Sequence, residues 1–113
     1  MSESSLYKPM MALASSMGAR LLRNNTGKLP DHTGRWVEFG LGVGSSDLIG
    51  FKPVTITPDM VGRRIAVFTA VECKTRTGRI RPEQSAFIAM VNSFGGIAGI
   101  ARSTQDLQDL LDP

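Results

Sequence analysis

One cysteine and one histidine are all that this chain of 113 residues offers to thiol or imidazole chemistry. Cys73 alone cannot close an internal disulfide, and with His32 as the only imidazole there is neither a Cys/His set for zinc nor a Cys–His nucleophile and base. Long apolar runs are missing as well. No stretch approaches the roughly 18 uninterrupted apolar residues that span a bilayer, which excludes a transmembrane helix. Residues 1–8 carry Ser and Glu but no apolar core of a secretory leader, so the protein is expected inside the cell. No repeat or low-complexity tract occurs. Charge of one sign is only slightly in excess, with 13 Lys and Arg against 10 Asp and Glu. That balance alone is a weak pointer to an anionic partner such as nucleic acid.

What remains fits one globular domain over residues 1–113. The apolar fraction is 42%, and a chain of this length buries roughly two-thirds of its unfolded surface without disulfide or metal. Leu6, Met10, Leu13, Met17 and Leu21 recur at three-to-four spacing, which predicts an amphipathic helix over 6–22 with Gly18 near its end. Pro9 places the start close to itself or kinks the first turn. Residues 23–34 read as turn and loop, rich in Asn, Gly and Pro-Asp. Trp36, Val37 and Phe39 predict a strand, residues 47–51 a second. The apolar run within 65–74 predicts a central strand covered on both faces. Pro82 opens a helix whose apolar side holds Phe87, Ile88, Val91 and Phe94, and Gly95-Gly96 closes it. A strand over 97–101 and a last helix capped by Ser103 or Thr104 complete the order α-β-β-β-α-β-α. A helix between two strands implies a partly parallel sheet, hence an α/β to α+β fold with helices on both faces.

The anomaly is Glu72-Cys73-Lys74 at the end of the most apolar strand. Alternation puts Glu72 and Lys74 on one face and Cys73 on the other. Charges there are costly to desolvate unless paired or bound, so the triplet is either a structural ion pair or a functional site. Asp47 is a second carboxylate, after a glycine-rich turn at the start of a short apolar strand; it serves either as a turn residue or as a partner for Glu72. Two such carboxylates repel unless a cation separates them. Oxygen ligands of this kind suit Mg²⁺ or Mn²⁺. Gly40-Leu41-Gly42-Val43-Gly44 has neither the spacing nor the following helix of a dinucleotide loop, and no Gly-Lys-Ser/Thr closes a P-loop.

These residues fall into a longer ordered pattern. It comprises Arg23-Asn24-Asn25-Thr26-Gly27, Phe39-Gly40 leading to Gly44-Ser45-Ser46-Asp47-Leu48-Ile49-Gly50, Val71-Glu72-Cys73-Lys74-Thr75, Arg81-Pro82-Glu83-Gln84, and Gly95-Gly96 before the last strand. The pattern resembles the virus-type replication-repair nuclease (VRR-NUC) domain of the PD-(D/E)XK nuclease superfamily, from the first helix to beyond Arg102. The resemblance implies a mixed β-sheet flanked by helices and metal-dependent hydrolysis of a DNA phosphodiester. Asp47, Glu72 and the backbone carbonyl of Cys73 would hold one or two Mg²⁺ or Mn²⁺ ions. Lys74 would orient the attacking hydroxide or stabilise charge on the phosphate, and Gln84, matching the family's fourth motif, would position the site or the lysine. The family usually takes a further acidic residue from its first helix, and Glu3 stands in about that place as a further metal ligand, unless the helix starts at Pro9 and leaves Glu3 without a catalytic part. The superfamily's Pro-Asp is Ser46-Asp47 here, which leaves the metal-binding aspartate in place.

The resemblance further implies an endonuclease acting on branched DNA, four-way junctions above all, as a homodimer without any membrane association. The alternatives are a flap or other structure-specific nuclease, or a DNA-binding module without catalysis that retains the fold. Arg23, Asn24 and Asn25 are candidate donors to DNA phosphates, and Arg76, Arg79 and Arg81 form a basic turn beside the site. Met10, Met11 and Met17 are candidates for the dimer surface. Residues 103–113 carry three aspartates and no basic residue, so the +3 of the whole chain is +6 over residues 1–102.

Overall fold

The computed structural model describes residues 2–113. A 3-10 turn over Glu3–Leu6 leads into α1 (Tyr7–Ser16), followed by β1 (Arg20–Arg23), β2 (Gly27–Pro30), β3 (Trp36–Phe39) and β4 (Leu48–Phe51). After a second 3-10 turn at Pro58–Met60 come β5 (Thr69–Cys73), α2 (Pro82–Ser93), β6 (Ile97–Ala101) and α3 (Thr104–Leu111). The α+β class stands, with strand pairs of both senses: β1–β4 and β2–β3 are antiparallel and β5–β6 is parallel. Two strands more than the sequence pattern shows are present. The chain divides into two compact units, Met1–Lys52 and Pro53–Pro113. No helix among the described residues is long and apolar enough to cross a membrane.

In the first unit the helix stops at Ser16 instead of running on to residue 22. Gly18, at φ +83°, takes the left-handed conformation that an L side chain resists. Its N–H donates to Ser15 O at 3.1 Å and Ala19 N–H to Ala14 O at 2.9 Å, the paired bonds of a Schellman ending. Pro9 is third in α1, inside the first turn, where backbone N–H groups have no intrahelical acceptor in any case. The released chain pairs as β1 with β4, Leu21 opposite Gly50 and Arg23 opposite Leu48. The side of α1 toward β1 is the half-buried set Tyr7, Met11 and Ala14, with Arg23 stacked 3.7 Å from the centre of the Tyr7 ring. The apolar stripe Leu6, Met10, Leu13 and Met17 of the sequence pattern is exposed, Leu13 to 61% and Met17 to 68%.

Residues 23–34, expected as turn and loop, contain β2. Its partner is β3, in register from Gly27 opposite Phe39 to Pro30 opposite Trp36. Asp31 organises the tip: its Oδ1 accepts the Thr33 hydroxyl at 2.6 Å, Thr33 N–H at 2.8 Å and Arg35 N–H at 3.0 Å. Asp31 N–H donates in turn to Arg35 O at 2.8 Å.

In the second unit the strand expected over 65–74 is confined to 69–73. Ile65 and Val67 are exposed, and within β5 Thr69 and Cys73 are exposed while residues 70–72 are half-buried, so the strand is not buried on both faces; among the described residues it pairs with β6 alone. Pro82 is the first residue of α2, and the helix ends on Gly95 at φ +91° with Gly96 N–H donating to Val91 O at 3.0 Å. Gly96 admits the close approach of the chain: a Cβ there would lie 2.7 Å from Val91 Cγ1 and 2.8 Å from Phe68 O. Val91, Ala98 and Ala101 are the buried residues of the described chain, all from α2 and β6. Asn92 bonds both backbone groups of Ala98, at 3.0 Å each, and so satisfies β6 where no strand does. Ser103 caps α3 by accepting Asp106 N–H at 3.1 Å while Asp106 accepts Arg102 N–H at 2.8 Å.

Two predictions follow from these contacts. A Cβ at Gly50 would sit 1.7 Å from Arg20 O, so Gly50→Ala forces β1 and β4 apart. The expected cost is about 3 kcal/mol or more, read from thermal unfolding of the full chain by circular dichroism. The Asp31 carboxyl lies below its ordinary value of 3.8, chiefly through the Thr33 hydroxyl bond. Because the folded value is the lower one, this contribution to the tip is complete above 3.8 and is lost as pH falls through the folded value. The protection of the Thr33 and Arg35 amides, taken as exchange relative to the free-peptide rate, should therefore fall on acidification below about pH 4, and Asp31→Ala should remove that dependence.

Candidate active site

Strand β5 alternates its side chains, and the face that carries Ala70, Glu72 and Lys74 ends in the two charges. Gln84 is the third residue of α2, placed there by Pro82 at the first position. Its Oε1 accepts the backbone N–H of Arg81 at 3.0 Å, closing a capping interaction at the helix start. That bond orients the amide, because the oxygen side is committed to the helix and the nitrogen side must point away. Nε2 then donates to Glu72 Oε1 at 2.6 Å. Lys74 Nζ lies 3.6 Å from the same oxygen. The Lys74 side chain is only 13% exposed and Glu72 32%, so the pair is partly withdrawn from solvent. Glu72 Oε2 takes no hydrogen bond or ion pair from the described residues.

A cavity of about 230 Å³ lies against this group, lined by Glu72, Gln84 and Glu83 with Ala70, Val71, Phe87 and Ile88. The structure thus brings Glu72, Lys74 and Gln84 together, and it places the glutamine on the carboxylate rather than on the lysine. Glu83, given no role by the sequence pattern, lines the same cavity and makes a 3.8 Å ion pair with Arg81. Cys73 occupies the opposite face of β5.

The turn that follows Lys74 is held from behind. Arg102 Nη1 donates to the carbonyls of Thr75 at 2.6 Å, Gly78 at 2.9 Å and Arg76 at 3.3 Å. A Cβ at Gly78 would fall 3.5 Å from Lys74 Cδ, so the pinned turn lies along the stem of the lysine. Arg76, Arg79 and Arg81 are exposed around this turn. Sequence reasoning passed over Arg102, since a structural arginine bonded only to carbonyls carries no local signature.

Asp47 belongs to the first unit, immediately before β4, and is exposed. Its backbone is fixed by Asn24, whose N–H donates to Asp47 O at 2.8 Å and so extends the β1–β4 ladder by one bond. The Asn24 side chain donates to Ser45 Oγ and Ser46 O at 2.8 Å each and accepts Leu41 N–H at 3.1 Å. Its amide is therefore engaged in shaping residues 41–47. Arg23 is engaged on Tyr7, and Asn25 is exposed. The carboxylate of Asp47 has no hydrogen-bond or ion-pair partner among the described residues. Glu3 is exposed in the first 3-10 turn. No cluster of three or more His, Cys, Asp and Glu side chains occurs among the described residues.

A charged strand end met by the glutamine of a following helix is the arrangement on which the sequence pattern converges, and comparison with family models agrees with it: the VRR-NUC domain matches residues 4–105. The chain belongs to the VRR-NUC family. No curated protein and no solved structure matches it. The VRR-NUC match spans both compact units and makes the chain a nuclease domain that acts on DNA.

The Gln84 contact yields a test of the site as drawn. In Gln84→Glu the capping acceptor is kept while a second carboxylate replaces the amide against Glu72. Like charges repel at this distance, so the Gln84→Glu chain should gain thermal stability, followed by circular dichroism, on going from low to high salt, whereas the Gln84→Met chain should not.

Proposed function

We propose that this VRR-NUC chain is a divalent-metal-dependent endonuclease selective for branched DNA, four-way junctions foremost, with residues 1–113 working as one catalytic domain. The observation that carries the reading is Glu72, bonded by Gln84 and flanked by Lys74, in a chain with this family match. The donor set fits a hard ion. Among the described residues Glu72 retains one carboxylate oxygen without a protein partner and the Asp47 carboxylate has none, and oxygen ligands with remaining water suit Mg²⁺ or Mn²⁺.

On this reading Asp47, Glu72 and the Cys73 carbonyl would hold the ion or ions. A bound divalent ion would polarise the scissile phosphate and lower the pKa of its water. Lys74 orients the attacking water and sets positive charge against the phosphate as the new P–O bond forms and the old one breaks. Gln84 keeps Glu72 in one rotamer, so the carboxylate need not be ordered during the reaction. Arg76, Arg79 and Arg81 supply phosphate contacts that carry affinity without reading sequence. Paired nicks across a junction need two sites, so the reading includes a homodimer. The exposed stripe with Met10 and Met17 supports that element, while Met11 is half-buried beside β1.

The test is incubation of the purified chain with labelled junction, flap and linear duplex DNA in Mg²⁺, Mn²⁺, Ca²⁺ or EDTA. Cutting of the junction with Mg²⁺ or Mn²⁺ is expected, with EDTA abolishing it. Asp47→Asn, Glu72→Gln and Lys74→Met should each lower the rate at least about 100-fold. Full activity of the Asp47 or Glu72 variant would overturn the mechanism, and binding without cutting in every metal would turn the reading to a DNA-binding module. Light scattering should give twice the mass of one chain.

A further inference from the structure

The hairpin of β2 and β3 carries an aromatic side chain that the fold does not use. Trp36, the one tryptophan of the chain, is 72% exposed at the tip end of β3, and its indole N–H has no partner among the described residues. Strand alternation and register set Trp36 beside Pro30 on one face, with Lys28 and Glu38 further back on that face. The opposite face adds exposed Leu29 and Val37. An indole left in water serves stability little, because its apolar area is not buried.

The charges of the hairpin are sorted in a way that selects a partner. Lys28 and Glu38 pair at 3.3 Å, and the Asp31 carboxylate keeps its charge but is turned onto the backbone of the turn, where Oδ1 accepts the Thr33 hydroxyl and the Thr33 and Arg35 N–H groups. The Arg35 guanidinium is left, next to Trp36, with no ion pair or hydrogen bond among the described residues. The tip thus offers a guanidinium without a salt bridge among the described residues and one flat aromatic surface, held on a turn whose backbone is fixed by Asp31. A partner made of stacked rings with anions alongside meets both. The hairpin also springs from the same tie as Asp47: Asn24 Oδ1 accepts Leu41 N–H just after β3, and the Asn24 backbone N–H donates to Asp47 O. From that base β3 carries Trp36 about 10 Å outward at roughly 3.4 Å per residue.

We infer that this hairpin is a branch-reading element, with Trp36 stacking on a base pair left exposed where DNA strands part and Arg35 engaging the adjoining phosphate. In continuous duplex each base pair is already covered by its neighbours, and inserting a ring requires unstacking them. At a branch point that cost is largely absent, so the same contact discriminates branched from linear DNA without reading sequence. The inference rests on the nuclease reading and names how it selects its substrate.

Because Trp36 is the only tryptophan, indole fluorescence of the full chain reports this contact directly. The Glu72→Gln chain, titrated in Mg²⁺ with a four-way junction and with a linear duplex of equal length, should lose about half its emission on the junction and little on the duplex. Trp36→Ala should weaken junction affinity about tenfold and duplex affinity less than twofold, measured by anisotropy of labelled DNA, while Trp36→Phe retains most of the preference. Arg35→Ala should weaken both and lower the slope of log affinity against log salt by about one. Equal quenching by both DNAs, or a bound junction without quenching, would overturn the inference while metal-dependent cleavage by the wild type left the nuclease reading standing. A shift in emission with protein concentration and no DNA would assign the hairpin to a second copy of the chain instead. Wild-type protein that neither binds nor cuts any of the DNAs would overturn both readings.

Discussion

One amide sets the geometry on which the second unit's chemistry depends. Gln84 spends its oxygen on the first turn of α2 and its nitrogen on Glu72, so a helix start and a strand end share a side chain. The capping bond is what makes the carboxylate contact directional. An exposed glutamine with both ends free would sample several rotamers and hold Glu72 in none of them. The cost of order at the carboxylate is met during folding, by a bond that α2 needs anyway to satisfy its N-terminal donors.

The first unit solves a similar problem with Asn24. Its backbone lengthens the β1–β4 ladder to reach Asp47, and its side chain gathers three groups from residues 41–46. A glycine-rich loop has much conformational entropy to lose, and three hydrogen bonds to one amide are a compact way of offsetting that loss. Both units therefore position an acidic residue through an amide that belongs to another element. Among the described residues neither uses a buried hydrophobic anchor at the site itself, and the buried side chains, Val91, Ala98 and Ala101, belong to α2 and β6.

How much of this the sequence disclosed depends on whether the deciding interaction was local. Pro82, Gly95-Gly96 and Ser103 act on their own neighbours, and α2 and α3 were legible from them. Glu72, Lys74 and Asp47 were legible as an ordered pattern, although their roles rest on the family and not on spacing. Arg20–Arg23 was misread because Leu21 continues the spacing of Met17, and only the left-handed Gly18 separates helix from strand. β2 holds a glycine and a proline and reads as loop until β3 supplies its pairing. The packed side of α1 was not legible, because spacing identifies apolar stripes but not which of two adjacent ones meets a neighbour. Asn24 and Arg102 act across 17 to 27 residues of sequence, where no periodicity can announce them.

Arg102 differs from most structural arginines in what satisfies it. Three carbonyl dipoles, and no carboxylate, receive its guanidinium among the described residues. Dipoles meet its hydrogen-bonding needs and leave its charge whole, whereas a salt bridge would have cancelled it at a distance. The side chain that shapes the turn beside Lys74 therefore also remains a source of positive potential behind that turn. Rigidity and attraction for a polyanion come here from a single group, and replacing its carbonyl partners by an acidic side chain would keep the first while giving up the second.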